Sequence, residues 1–329
     1  MSQGSYRALV CVTTCRRLGN LRRYLPHLAR FCQSDARFAL LVALDGTEEA
    51  YLRFCTEWNI PLVYSDEREG VGLSKNRVLQ RFSDFDYYFF LDDDVELVDG
   101  SVFPAHVELA RKSGIHHFSL FEKGGVRKRT EESVVDGQRI VHGMFGGGQF
   151  NFFSREGLER VGGWHPIFAQ YRRWGHTEHS YRFFRAGLAP APFNVVEGIS
   201  DACIWHYPVS VTQIHGVETD EDQIPVAERA LIDTGLVYVP VQTLSGHHFN
   251  GHPFQRMDAF AATLDGVERY PLVGRSERSF CWSEYHLWQY AKARSIGERL
   301  GSFASAAFTW PGNPALRRVL WHALPGRKP

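Results

Sequence analysis

Across the first hundred residues, short unbroken apolar runs alternate with stretches where apolar residues recur every three or four positions. Ala8 to Thr13 and Phe38 to Leu44 are continuous runs, the pattern of strands buried on both faces. Leu62 to Tyr64 reads as a third strand and Tyr87 to Leu91 as a fourth. Between the first two, Leu18, Leu21, Leu25 and Leu28 keep helical spacing. Pro26 implies that this helix is kinked or starts late. Thr47 to Trp58 reads as a second helix, with Thr47 as cap and Glu48 and Glu49 in its first turn. Leu73 to Phe82 reads as a third. Strand and helix alternating at this rhythm imply right-handed crossovers and a mostly parallel sheet, an α/β fold. No internal repeat interrupts it.

The strands end in polar groups: Thr13-Thr14 after the first, Asp45 after the second, Asp92-Asp93-Asp94 after the fourth. All would open on one rim of the sheet, where ligands bind in open α/β folds. Three crowded carboxylates repel one another unless a cation sits among them. Alternation puts Asp92 and Asp94 on the same side of the chain. They form a natural pair for Mn2+ or Mg2+, ions held by one or two carboxylates plus substrate phosphates. Gly70 to Arg77 adds a glycine turn entering a helix that carries Lys75 and Arg77, a pattern suited to a diphosphate. It lacks the Gly-x-Gly-x-x-Gly spacing and does not follow the first strand, which disfavours a nicotinamide-dinucleotide domain.

Length and composition narrow the class. A chain of 329 residues predicts one large domain with an appendage, or two domains. With 44% hydrophobic and 22% charged residues it is an ordinary globular chain. The 37 basic and 37 acidic residues balance, so bulk nucleic-acid binding has no electrostatic basis. Cys11, Cys15, Cys32, Cys55, Cys203 and Cys281 include no Cys-x-x-Cys pair and read as reduced, buried thiols. With no signal-peptide pattern and no apolar run near the ~20 residues of a bilayer span, the expected location is cytoplasmic, at most peripheral at the inner face of the membrane.

Several later stretches carry weaker signals. Residues 123–139, with Lys123, Arg127, Lys128 and Arg129, read as a solvated basic loop or a lid over phosphate. Arg172-Arg173 suits surface salt bridges or an anionic acceptor. Ile224 to Leu236 has helical character, and Leu236 to Val241 reads as a short strand. His247, His248 and His252 match no complete zinc spacing. Leu316 to Leu324 is a short amphipathic helix with two arginines. It would dock on the body of the protein, on a second copy in a homo-oligomer, or on an anionic membrane surface.

In order and spacing these motifs resemble the GT-A-type glycosyltransferases, especially the inverting enzymes of family 2. The resemblance runs through Asp45-Gly46, Gly70 to Asn76, Asp92-x-Asp94, and Phe145-Gly146-Gly147-Gly148-Gln149-Phe150-Asn151. It continues through Leu158 to Trp164, Trp174 to Glu178 with Arg182 and Arg185 to Gly187, and His206, over about residues 6–207. It implies a GT-A fold over residues 1–214, with a donor half to about residue 100 and an acceptor half beyond it. A smaller, α-rich extension would occupy 215–329.

Residue by residue, the resemblance places Thr13, Thr14, Arg16, Asp45, Gly72, Lys75, Asp92 and Asp93 around a nucleotide-sugar donor, UDP-linked. Asp92, Asp94 and His206 would hold the metal. An imidazole beside two carboxylates suits Mn2+ somewhat better than Mg2+. Gly147, Gly148, Gln149 and Trp164 would face the acceptor, a glycan or lipid-linked alcohol. One departure matters. Where the family has Glu-Asp, with the Asp as general base, this chain has Gly175-His176, and the next carboxylate is Glu178. His176 and Glu178 therefore both remain candidates for the base. The rival functions are a nucleotidyltransferase and a binding module that kept the fold without the base.

Overall fold

The computed structural model describes residues 5–120, 127–165, 168, 175–199, 203–205 and 293–313, with scattered positions between 279 and 319. β1 (Ala8–Thr14) is buried at every position, as its unbroken apolar run requires. It is flanked by β2 (Phe38–Leu44) and β4 (Tyr87–Asp92), both parallel to it, and β3 (Leu62–Tyr64) pairs parallel with β2. The helices α1 (Leu18–Ser34), α2 (Glu49–Glu57) and α3 (Val71–Arg81) link these strands. α1 runs unbroken through Pro26. Leu21, Tyr24, Leu25, Leu28, Ala29 and Cys32 are buried on both sides of the proline, and that burial offsets the ~3 kcal/mol a helical proline costs. Thr47 does not cap α2: Glu48 holds that position, and the Thr47 hydroxyl donates to the Ser65 carbonyl at 2.6 Å.

Beyond β4 the chain forms β5 (Val95–Leu97), α4 (Val102–Ser113), β6 (His117–Ser119), β7 (Arg127–Val135), β8 (Gln138–Phe145) and β9 (Phe150–Ser154). Then come α5 (Arg155–Val161), α6 (Gly175–Arg185), β10 (Phe193–Val196), β11 (Cys203–Trp205) and α7 (Ile296–Thr309). β9 inserts antiparallel beside β4 with β6 at the edge, completing a six-stranded, mostly parallel sheet in the order β3-β2-β1-β4-β9-β6. β10, β8 and β7 form a separate antiparallel sheet, and β11 pairs with β5.

The basic stretch expected as a loop or lid is, from residue 127 on, one arm and the turn of the β7–β8 hairpin. Asp136 and Gly137 make that turn with φ of +52° and +78°. Positive φ at both central positions matches the right-handed twist of the strands, and Asp-Gly adopts it readily.

Because neighbouring strand residues face opposite ways, Phe89 and Phe90 found two aromatic layers. Phe89 meets Phe103 at 4.9 Å, Phe152 at 5.0 Å and Phe150 at 6.0 Å between ring centroids. Phe90 meets Trp164 at 5.0 Å and Phe153 at 6.3 Å, and this second layer continues to His179 and Phe183. The second layer underlies the polar residues at the rim.

In the C-terminal part, Leu287, Ala306 and Leu316 form a small buried cluster. Leu316, on the amphipathic stretch expected to dock on the body, on a second copy or on a membrane surface, packs into this cluster, while Ile296, Leu300 and Phe308 of α7 are exposed. Among the described residues no helix is long and apolar enough to cross a membrane. His206, Arg172-Arg173, residues 224–241, the His247–His252 cluster and the 214/215 boundary lie outside the described residues.

Phe89 has 0% exposure at the centre of the first layer. Phe89→Ala is expected to cost about 3–5 kcal/mol through lost burial and the cavity left behind. Denaturant unfolding of the two proteins measures it; a cost below ~1 kcal/mol would contradict this account of the core.

Candidate active site

A cleft of about 590 Å³, taken out to its open mouth, lies at the carboxyl ends of β1, β2 and β4. Thr13, Thr14, Arg17, Asp45, Gly70 and Asp92 are among its walls. It sits where strand order reverses between β1 and β4, the place at which open α/β sheets bind ligands.

β4 ends at Asp92, and Asp93 and Asp94 form the turn that leads into β5. Asp93 is 1% exposed and points inward, where the Thr14 hydroxyl donates to its Oδ2 at 2.7 Å and Arg17 pairs with Oδ1. Burial pushes its pKa up to about 7, against the pull of Arg17. Although it borders the cleft, Asp93 is thus an anchor tying β4 to the β1–α1 turn. Asp92 and Asp94 are the more exposed pair. Asp92 Oδ1 takes hydrogen bonds from the Thr13 hydroxyl at 2.7 Å and from Lys75 Nζ at 3.1 Å. Burial works to raise the Asp92 pKa, but Lys75, Thr13 and Arg17 together hold it below the ordinary value. Asp94 is pushed up to about 6, first by burial and then by the charge of Asp92.

Asp94 Oδ1 is buried with no hydrogen-bond partner. An unmatched carboxylate oxygen beside a second, ionised carboxylate fits two ligands of a hard divalent ion. Among the described residues no third His, Cys, Asp or Glu completes such a group.

The remaining expected donor residues divide. Asp45 Oδ1 accepts from the backbone N–H groups of Glu69 and Gly70 at 2.7 and 2.9 Å, which fixes the turn into α3. Its Oδ2 lies 3.7 Å from Arg68 Nε. Gly70, with φ of +96°, supplies the start of α3 to the cleft; Gly72 is buried within the first turn. Lys75, expected beside a diphosphate, is 3% exposed and committed to Asp92. Arg16 is exposed, and it is Arg17 that enters the cleft.

On the side expected to face an acceptor, β9 brings the glycine loop against β4, and the Asp92 N–H donates to the Gln149 carbonyl at 2.7 Å. His176 lies against this loop, close enough that a methyl group on Gly148 would strike its ring; Gly147 has Gln149's own side chain in the corresponding place. Burial and then the Lys75 charge lower the His176 pKa to about 4, opposed by Asp92 and by a hydrogen bond with the Gly146 backbone. The imidazole is therefore neutral at pH 7. Glu178 is elsewhere: it is fully buried and paired with Arg182, also fully buried. Arg182 in turn donates to the carbonyls of Val161 and Gly163. A carboxylate so enclosed braces the turn before Trp164 and does not meet a substrate. Trp164 is 2% exposed, so its ring is no platform for an acceptor. Asn76 grips its backbone with two 2.8 Å bonds, and its ring lies 5.5 Å from Lys75 Nζ.

Arg17 and Asn76 are the residues that sequence reasoning missed. Asn76 was visible within the Gly70 to Asn76 motif, but its partner is 88 positions away.

No family model matches the sequence, and no curated protein matches it. Solved structures do. A mannosyltransferase from Pyrobaculum calidifontis, in complex with GDP-Man and Mn2+, aligns with 98% of this chain and 80% of its own at a TM-score of 0.52 and 14% identity. S. aureus TarS 1-349 with UDP-GlcNAc aligns with 92% of this chain and 91% of its own at 0.51 and 11% identity. The chain has the GT-A glycosyltransferase fold.

Two outcomes follow from the buried charges. Glu178→Gln leaves Arg182 without its counter-charge and is expected to cost about 3–5 kcal/mol of stability. Thermal unfolding checks this, and an unchanged midpoint would refute it. The second concerns pH. His106, His117 and His176 are lowered to about 4 and His165 to about 3, all chiefly by burial, and His179 lies well below its usual value. Unfolded, these groups take up protons near pH 6.5. Their contribution to stability is complete above that pH and is lost as pH falls towards 4. Asp93 and Asp94, raised when folded, act in the opposite sense over pH 4 to 7 but are outnumbered. The melting temperature is therefore expected to be lower at pH 5 than at pH 7.5; a rise would contradict it.

Proposed function

We propose that this protein transfers a sugar from a nucleotide-sugar donor to the hydroxyl of a glycan or lipid-linked acceptor, with inversion. The observation that carries the reading is Asp92 in the wall of the cleft at the sheet's switch point, with Asp94 two residues on and one of its oxygens buried and unmatched. Asp92 and Asp94 would hold Mn2+ or Mg2+, with His206 as the third ligand that the family resemblance implies. A bound ion would neutralise the nucleoside diphosphate as it leaves. The bond from the anomeric carbon to the diphosphate oxygen breaks, and a bond from that carbon to the acceptor oxygen forms. The acceptor's proton goes to His176, whose neutral imidazole is in the form a base requires.

Asp45 supports a uridine donor over a guanosine one. Its Oδ1 is occupied by two backbone N–H groups, leaving Oδ2 as the acceptor beside Arg68. Uracil offers one N–H between two carbonyls. Guanine presents an N–H and an adjacent amino group, and the amino group would be left without an acceptor.

An unsatisfied amino group costs ~1–3 kcal/mol, so UDP is expected to bind about five- to a hundredfold more tightly than GDP in the presence of Mn2+. Calorimetry measures it, and equal affinities would overturn the uridine assignment. Turnover of a UDP-sugar panel should release UDP and not pyrophosphate. Asp94→Asn should abolish the Mn2+ dependence of binding, and His176→Ala should lower kcat by about 10²–10⁴. Pyrophosphate release would identify a nucleotidyltransferase; donor binding without turnover on any alcohol would identify a binding module.

A further inference from the structure

The three carboxylates at the end of β4 are matched by two cations, and the two are not equivalent. Lys75 is buried and settled on Asp92 at 3.1 Å. Arg17, the cap residue of α1, holds Asp93 closely but lies 3.6 Å from Asp94, too far for a hydrogen bond. Its Nε and Nη1 are buried and make no hydrogen bond, and neither does Asp94 Oδ1. The Arg17 backbone is fixed, since its N–H donates to the Tyr51 hydroxyl at 2.6 Å. The unsatisfied part is the guanidinium, in the wall of the cleft.

We propose that Arg17 stands in for the divalent cation while the site is empty, and hands Asp94 over only when ion and nucleotide arrive together. This rests on reading the cleft as a nucleotide-sugar site. Arg17 Nη1 lies against Asp94 Oδ2 at 3.6 Å, so a cation entering at the unmatched Oδ1 of the same carboxylate would be repelled by it. An ion entering alone has to drive Arg17 off Asp94 and leave a buried guanidinium still shorter of partners. A diphosphate removes that penalty, because its oxygens accept from a guanidinium in pairs. Ion and nucleotide then bind with positive coupling, and the coupling resides in Arg17.

Mn2+ binding to the full chain, measured by calorimetry with and without UDP, tests this in wild type, Arg17→Met and Arg17→Lys. The methionine variant is expected to bind Mn2+ alone at least about tenfold more tightly than wild type. It should also lose most of the gain that UDP confers on the wild type. The lysine variant should fall between them. If folded Arg17→Met binds Mn2+ as the wild type does, with the same gain from UDP, the proposal is overturned. Where Arg17→Met does not fold, Arg17→Lys decides, and wild-type values for it overturn the proposal equally. Failure of the wild type to bind Mn2+ even with UDP present defeats the reading of the cleft itself.

Discussion

Compensation of buried negative charge governs how this molecule is put together at its rim. Three consecutive carboxylates at the end of a central strand cannot stay folded against one another without positive partners. Lys75 reaches Asp92 from α3, and Arg17 reaches Asp93 and Asp94 from the start of α1. Each cation ties a crossover helix to the strand it would otherwise only pack against. The hydroxyls of Thr13, the register partner of Asp92 on β1, and of Thr14 next to it complete the set. The same contacts that make the acidic turn tolerable define the walls of the cleft.

The second aromatic layer carries that arrangement outwards. Phe90 supports Trp164, and Asn76 clamps the Trp164 backbone from the helix that bears Lys75. Behind Trp164, the Glu178–Arg182 pair holds the carbonyls of Val161 and Gly163. A buried pair of this kind adds little net stability but penalises any departure from one geometry. Lys75 is thus placed by contacts that begin more than eighty residues further along the chain.

Much of this was legible before the structure. β1, β2 and β4 are apolar runs buried over most of their length, a pattern few other elements produce; β3, at the edge, is only partly buried, and β4 continues only to Asp92. Asp92 closes that strand, whereas Asp93 and Asp94 belong to the turn after it, where strand alternation no longer applies. What escaped depends on distant partners. Arg16 and Arg17 are adjacent cations, and nothing local says that the second turns into the cleft. The pairing of Lys75 with Asp92 has no local signal either, because only β4 brings the two together. Glu178 and Arg182 stand four apart on a helix, so their pairing was readable but their burial was not. In the β7–β8 hairpin the cluster of cations drew attention from the Asp136-Gly137 turn, the more informative signal.

The hydrogen bond from the Asp92 N–H to the Gln149 carbonyl makes the glycine loop and the acidic turn one mechanical piece. Loops that contact acceptors are where enzymes usually diversify. Here, altering that loop's backbone would disturb the carboxylate at the base of the cleft. Exchanging residues 146–149 as a cassette would therefore shift Asp92 as well.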